Sequence, residues 1–362
     1  MNKNKTIWII VGIVVIVLIV IFATRSKQGI LPASTPFKIG IVLPLSGPAA
    51  ALGEASKNSV NLALSKLSPS EQAKIVLIYG DDQLDPKQTV LVTQKLIDVD
   101  KVDALVTYSS PSSVAASYIA EKNSVPMIGL GNSTDINSGK QWVIRYMLGP
   151  EAQAAAIENL LLKGKYHKVA MVWNQSDGPK SVHDALAKML PERGYTIVAD
   201  ESVAKGENDF KTSITKIRSA KPDVVVVYIS PQTGVFAKQA KDLSLNAPLV
   251  GGPTFEIVDQ IKAAAGGMDD QLFASNDNVS FINNYYAKYA SYPTIAGDYI
   301  YDAITQLATV ANQPDVSRES IMKYLKNSFS GVAGNYIYNG DGSFDVVQVV
   351  KKWDGQEFVV IK

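Results

Sequence analysis

The chain has no cysteine in its 362 residues and only two histidines, His167 and His183. Without thiols there is no disulfide framework, no cysteine nucleophile and no thiolate metal site. A lipid-modified N-terminal cysteine is excluded too. The two histidines have no paired spacing, so no histidine metal centre is expected. No nucleophile elbow, phosphate loop or dinucleotide fingerprint occurs, because the glycines between Gly47 and Gly53 lack the required spacing. Charge is also modest, at 19% with a net of +1, which argues against nucleic acid as a partner. What remains is a globular composition, 46% hydrophobic, that reads as a binder and not an enzyme, with no cofactor and no metal.

The apolar runs that are present alternate with helical patterns. Lys38-Ile39-Gly40-Ile41-Val42-Leu43-Pro44 has strand length, and Ser46-Gly47-Pro48 turns the backbone. From Gly53 onward, Ala55, Val60, Leu62, Ala63 and Leu67 recur near the 3.6-residue period of a helix. Lys74 to Tyr79 is a second strand, and Asp85-Pro86 opens a second helix, with proline suited to its first turn. Strand, polar loop and helix in that order build a parallel sheet whose strand ends form a ligand crevice. The pattern continues through a strand at 103–107, a helix at 114–122 and a strand at 126–130. A second series follows, with strands expected at 168–173, 196–200, 223–229 and 248–251. A chain of 362 residues exceeds one ordinary core, so an α/β fold of two doubly wound Rossmann-like lobes is expected.

Ile39 to Pro48, then Tyr79-Gly80-Asp81-Asp82-Gln83-Leu84-Asp85-Pro86-Lys87-Gln88, resembles the opening of the branched-chain amino-acid (leucine/isoleucine/valine) binding proteins. Those are type I periplasmic binding proteins of ABC importers. Val125-Pro126-Met127-Ile128, Tyr301-Asp302-Ala303 and the ending Gly331-Val332-Ala333-Gly334 through Gly340-Asp341-Gly342 extend the likeness over residues 37 to 361. The resemblance implies a three-crossing hinge, with lobe one at 37–148 plus 275–333 and lobe two at 149–274 plus 334–362. It implies ABC permease subunits as partners of a small-molecule ligand, an amino acid or a related amide or carboxylate.

Ile7 to Ala23 is an uncharged apolar run of 17 residues flanked by Lys3, Lys5, Arg25 and Lys27. As a helix it spans about 26 Å, close to a bilayer's ~30 Å core and long for a signal-peptide core. Residues 1–24 are thus expected to anchor the chain in the membrane or to be cleaved as a signal, with 25–36 a spacer. Either outcome places the remainder outside the cytoplasm.

Polar residues at strand carboxyl ends are the candidate site. Tyr108-Ser109-Ser110-Pro111-Ser112-Ser113 precedes a helix, where hydroxyls and free N–H groups suit a carboxylate, although one serine is needed as a cap. Gly131-Asn132-Ser133-Thr134 follows the next strand. The resemblance aligns ligand contacts with Ser110, Asn132 and Ser133 in lobe one, with Ser109 beside them. In lobe two it aligns aromatic contacts of the family near Asp177 and Ser230. The family's acid for the ligand ammonium aligns with Thr254, and Glu256 lies two residues on. Glu256 or Asp177 is then the expected substitute for that acid. Asn339 to Asp345 resembles a calcium loop but lacks the glutamate at the twelfth position, so a hairpin turn is expected. Asp81, Asp82 and Asp85 read as loop and cap residues. The rival readings are a sensing ectodomain of the same fold and, less favoured, an extracellular hydrolase.

Overall fold

Five short strands carry the first lobe: β1 (Phe37–Leu43), β2 (Ile75–Asp81), β3 (Ala104–Tyr108), β4 (Met127–Leu130) and β5 (Val143–Arg145). They form an all-parallel sheet in the order β2-β1-β3-β4-β5. Their near-continuous apolar runs follow from burial on both faces, since helices cover each side. This computed structural model describes residues 35–361. The apolar run at 7–23 lies outside them, and among the described residues no helix is long and apolar enough to cross a membrane.

The second sheet repeats the first. It comprises β6 (Lys168–Asn174), β7 (Thr196–Val203), β8 (Val224–Tyr228), β9 (Leu249–Gly251) and β10 (Leu272–Asn276), in the order β7-β6-β8-β9-β10. The chain's last described segment adds two antiparallel strands to the β10 edge. A small antiparallel sheet joins β11 (Phe329–Ser330), β12 (Asn335–Tyr338) and β13 (Phe344–Val346). The two strands added to the large sheet are β14 (Gln348–Trp353), paired with β10, and β15 (Phe358–Ile361), at the edge. In both halves the strand order reverses beside the first strand, and crevices for ligands form at such switch points.

The three crossings differ in part from expectation. The first runs from β5 to the helix Pro150–Gly164, where the buried Arg145 donates to the Met147 carbonyl and to Asn137 Oδ1. Ser275 and Asn276, expected in lobe one, are paired within β10 of the second sheet. The helix Val279–Tyr289 then bridges the lobes. Its Phe281, Ile282 and Tyr285 pack with the second core, while Tyr285 Oη donates to the Ala55 carbonyl of lobe one at 3.1 Å. The helix Gly297–Ala311 completes the return, burying Tyr299, Ile300, Ala303 and Leu307 in the first core. The last crossing was expected at Gly334, but Tyr336, Phe344 and Val346 still pack in lobe one against Tyr146. Aromatic packing holds that segment: the Phe329 and Tyr336 rings stack at 4.1 Å. The chain crosses only at Val347, the single residue between β13 and β14.

The 339–345 segment is a hairpin turn between β12 and β13, with Asp341 Oδ1 accepting from Ser343 N at 2.9 Å. Asp81 accepts from Leu45 N, Ser46 N and Gln83 N, and Asp85 caps the helix Pro86–Asp98 through Lys87 N.

Candidate functional site

Between the two sets of strand ends lies a cavity of ≈ 210 Å³. Lobe one contributes Tyr108, Ser109 and Ser110 after β3, Gly131 and Asn132 after β4, and Met147 after β5. Lobe two contributes Tyr228 and Ser230 after β8, Thr254 after β9, Gly178 at a helix start and Gln153. Of the residues expected from sequence, Ser109, Ser110, Asn132, Ser230 and Thr254 meet here.

The two lobe-one loops are fastened to each other by Ser110. Its Oγ accepts from Asn132 N at 3.0 Å and Ser133 N at 3.3 Å, and donates to Asn132 Oδ1 at 2.9 Å. Gly131 permits this approach, because a Cβ there would stand 2.7 Å from the Ser110 backbone nitrogen. Ser109 caps the helix Ser110–Lys122 through Ser112 N at 3.4 Å. Its backbone has φ 73 and ψ 153, a region that is essentially glycine's, and such strain clusters at functional loops. Asn132 then reaches across the cleft: Nδ2 lies 3.4 Å from both the Gly178 carbonyl and Ser181 Oγ.

Three expected residues are not brought to the cavity. Ser133 and Asp177 border an outer recess with Asp135, Lys180 and Asp184. Ser133 Oγ accepts from Asp135 N, and Asp177 is an exposed residue in the first turn of its helix. Glu256 ends the turn Pro253–Glu256 and is neither exposed nor free. Its Oε1 lies 2.6 Å from Nζ of the fully buried Lys351, which also donates to Asn278 Oδ1 at 2.6 Å. Asn278 and Asn276 in turn donate to Asp298 Oδ2 at 2.7 and 2.8 Å. Burial pushes the Asp298 carboxyl up to about 6, against these hydrogen bonds. This network stands behind the cavity wall and leaves the cavity itself without a charged side chain among its lining residues.

Sequence reasoning missed Tyr108, Tyr228 and Gln153. Tyr228 Oη donates to Gln153 Oε1 at 3.3 Å, and burial raises the pKa of both tyrosines, so their hydroxyls stay neutral. Both rings close a β-strand at its carboxyl end, a position that marks a ligand wall in this topology. The glycine before the Pro253 turn accommodates Tyr228, since a Cβ on Gly252 would fall 2.3 Å from Tyr228 Oη.

A family model described as periplasmic binding protein matches residues 36–346. The Leu/Ile/Val-binding protein BraC3 of Rhizobium johnstonii is 30% identical over 227 residues, which is 61% of this chain and 62% of that protein. The chain thus spans somewhat under two thirds of that relative. Leu/Ile/Val-binding protein homolog 7 of Brucella suis is 28% identical over 76% of each chain. Among solved structures, the substrate binding protein LivJ from Streptococcus pneumoniae, in complex with isoleucine, superposes with a TM-score of 0.77 at 24% identity. That match covers 91% of this chain and 100% of LivJ. A solute binding protein of an R. palustris ABC transporter, in complex with benzoate, gives a TM-score of 0.77 at 21% identity, over 90% of this chain and 95% of the other.

Proposed function

From the premise that the chain belongs to the periplasmic binding protein family, we propose that it is the extracytoplasmic solute-binding component of an ABC importer. It closes two lobes around a small solute and presents the closed form to permease subunits. One observation supports this most: the uncatalytic cavity is walled by strand ends of both lobes, and Asn132 bridges them. At ≈ 210 Å³ the cavity is smaller than the roughly 300–1,000 Å³ usual for drug-sized ligands, which suits a small solute.

Lobe one holds the solute first, through the Ser109–Ser110 and Gly131–Asn132 loops. Closure then adds Tyr228, Ser230 and Thr254. Solute that contacts both lobes stabilises the closed form relative to the open one, and no chemistry is required. Residues 7–23 tether the chain to the outer face of the membrane, within reach of the permease. Relatives and structural neighbours bear the names of isoleucine-family and benzoate binders. Uptake assays test the reading: deleting the gene abolishes accumulation of the solute that raises the melting temperature of the purified chain. Unimpaired uptake, or conversion of the solute into product by the purified protein, refutes it.

A further inference from the structure

Resting on that solute-binding reading, we propose that the cavity selects an uncharged solute, an apolar or aromatic body carrying an amide, carbonyl or hydroxyl group, and rejects zwitterionic amino acids. Each end of a zwitterion lacks its partner here. A buried ammonium needs an anionic acceptor, since an unpaired charge removed from water is strongly disfavoured. Among the described residues no Asp or Glu lines the cavity, and Glu256, two residues beyond the lining Thr254, is occupied by Lys351 at 2.6 Å. Lys351 has no exposed surface, so water does not take over as the partner of Glu256's cation.

The carboxylate end fares no better. Among the described residues no Lys, Arg or His lines the cavity. Three of the loop N–H groups that would replace a cation already have acceptors: those of Asn132 and Ser133 donate to Ser110 Oγ, and that of Ser112 donates to Ser109 Oγ. The serines that read as carboxylate ligands in the sequence are instead the internal fastening of their own loops.

What the cavity does present is neutral. The Thr254 hydroxyl is buried, with the residue 8% exposed, and Oγ1 has no hydrogen-bond partner among the described residues. A threonine hydroxyl both donates and accepts, which matches an amide or a carbonyl and leaves no charge uncompensated. The Tyr108 and Tyr228 rings supply large apolar faces, and Met147 and Leu130 complete an apolar lining.

Calorimetry on the full chain in detergent, with matched probes, tests this. Benzamide, benzoate and L-phenylalanine share a ring and differ in charge; isovaleramide and L-leucine form an aliphatic pair. The expected result is that each amide binds at least about tenfold more tightly than its charged counterpart. Thr254→Val is expected to weaken amide binding about tenfold with the melting temperature of the free chain unchanged. Tighter binding of benzoate, L-phenylalanine or L-leucine overturns the inference while leaving the solute-binding reading intact. Silence of both amides overturns it as well, and the uptake assay then decides the wider reading separately.

Discussion

Replacing Lys351 by methionine isolates the interaction that removes Glu256 from the cavity. The lysine is fully buried and its Nζ bonds Glu256 Oε1 and Asn278 Oδ1, both at 2.6 Å. Methionine fills nearly the same volume, so little cavity cost arises; the loss comes from a carboxylate left buried without its cation. Breaking one side of such a pair costs about 3–5 kcal/mol. Unfolding entropy near 2.1 cal/mol/K per residue over ~330 folded residues converts each kcal/mol to roughly 1.5 °C. Lys351→Met is therefore expected to melt about 5–7 °C below the parent chain in differential scanning calorimetry. The double variant Lys351→Met, Glu256→Gln removes the stranded charge and should recover more than half of that loss. Equal melting temperatures for the single and double variants would refute the pairing, because two independent residues show no such coupling.

Ser110→Ala deletes the hydroxyl that accepts from Asn132 N and Ser133 N, and a loss of about 1–3 kcal/mol in solute affinity is expected by calorimetry, with far-ultraviolet dichroism unchanged. Asp298 has a folded pKa of about 6 against 3.8, so the folded chain holds a proton that the unfolded chain has released between those values. Its contribution is full below about pH 3 and is lost as pH rises through 6; relative to Asp298→Asn, the parent should lose roughly 3 kcal/mol between pH 3 and pH 8 in urea titrations. Intact-mass analysis of membrane-extracted protein is expected to give an N-terminus ahead of Ile7, whereas one near Thr24 would show that the apolar run is cleaved.

The parallel strands were legible because both-face burial writes itself as unbroken runs such as Val224–Tyr228. The family resemblance, carried onto the polar residues that follow such runs, pointed to Ser110, Asn132, Ser230 and Thr254. β5 has three residues and β10 reads Leu-Phe-Ala-Ser-Asn, too short or too mixed for periodicity to mark either as a strand. Glu256 and Lys351 stand 95 residues apart. No local pattern announces such a pairing, and a glutamate in a helix's first turn looks solvated until its partner arrives. The resemblance aligns an aromatic contact with Ser230, whereas the aromatic side chain that lines the cavity is Tyr228, two residues earlier at the end of β8.

Val347 is the whole of the third crossing, and a single residue extends at most about 3.6 Å. The first small sheet and the second large sheet are thus spliced almost end to end, which forbids sliding or simple separation of the lobes at that edge. Any opening of the lobes at that edge would therefore be a swing about the splice. The Asn132 contacts with the Gly178 carbonyl and Ser181 Oγ, each at 3.4 Å, span the two lobes and would have to part in such a swing.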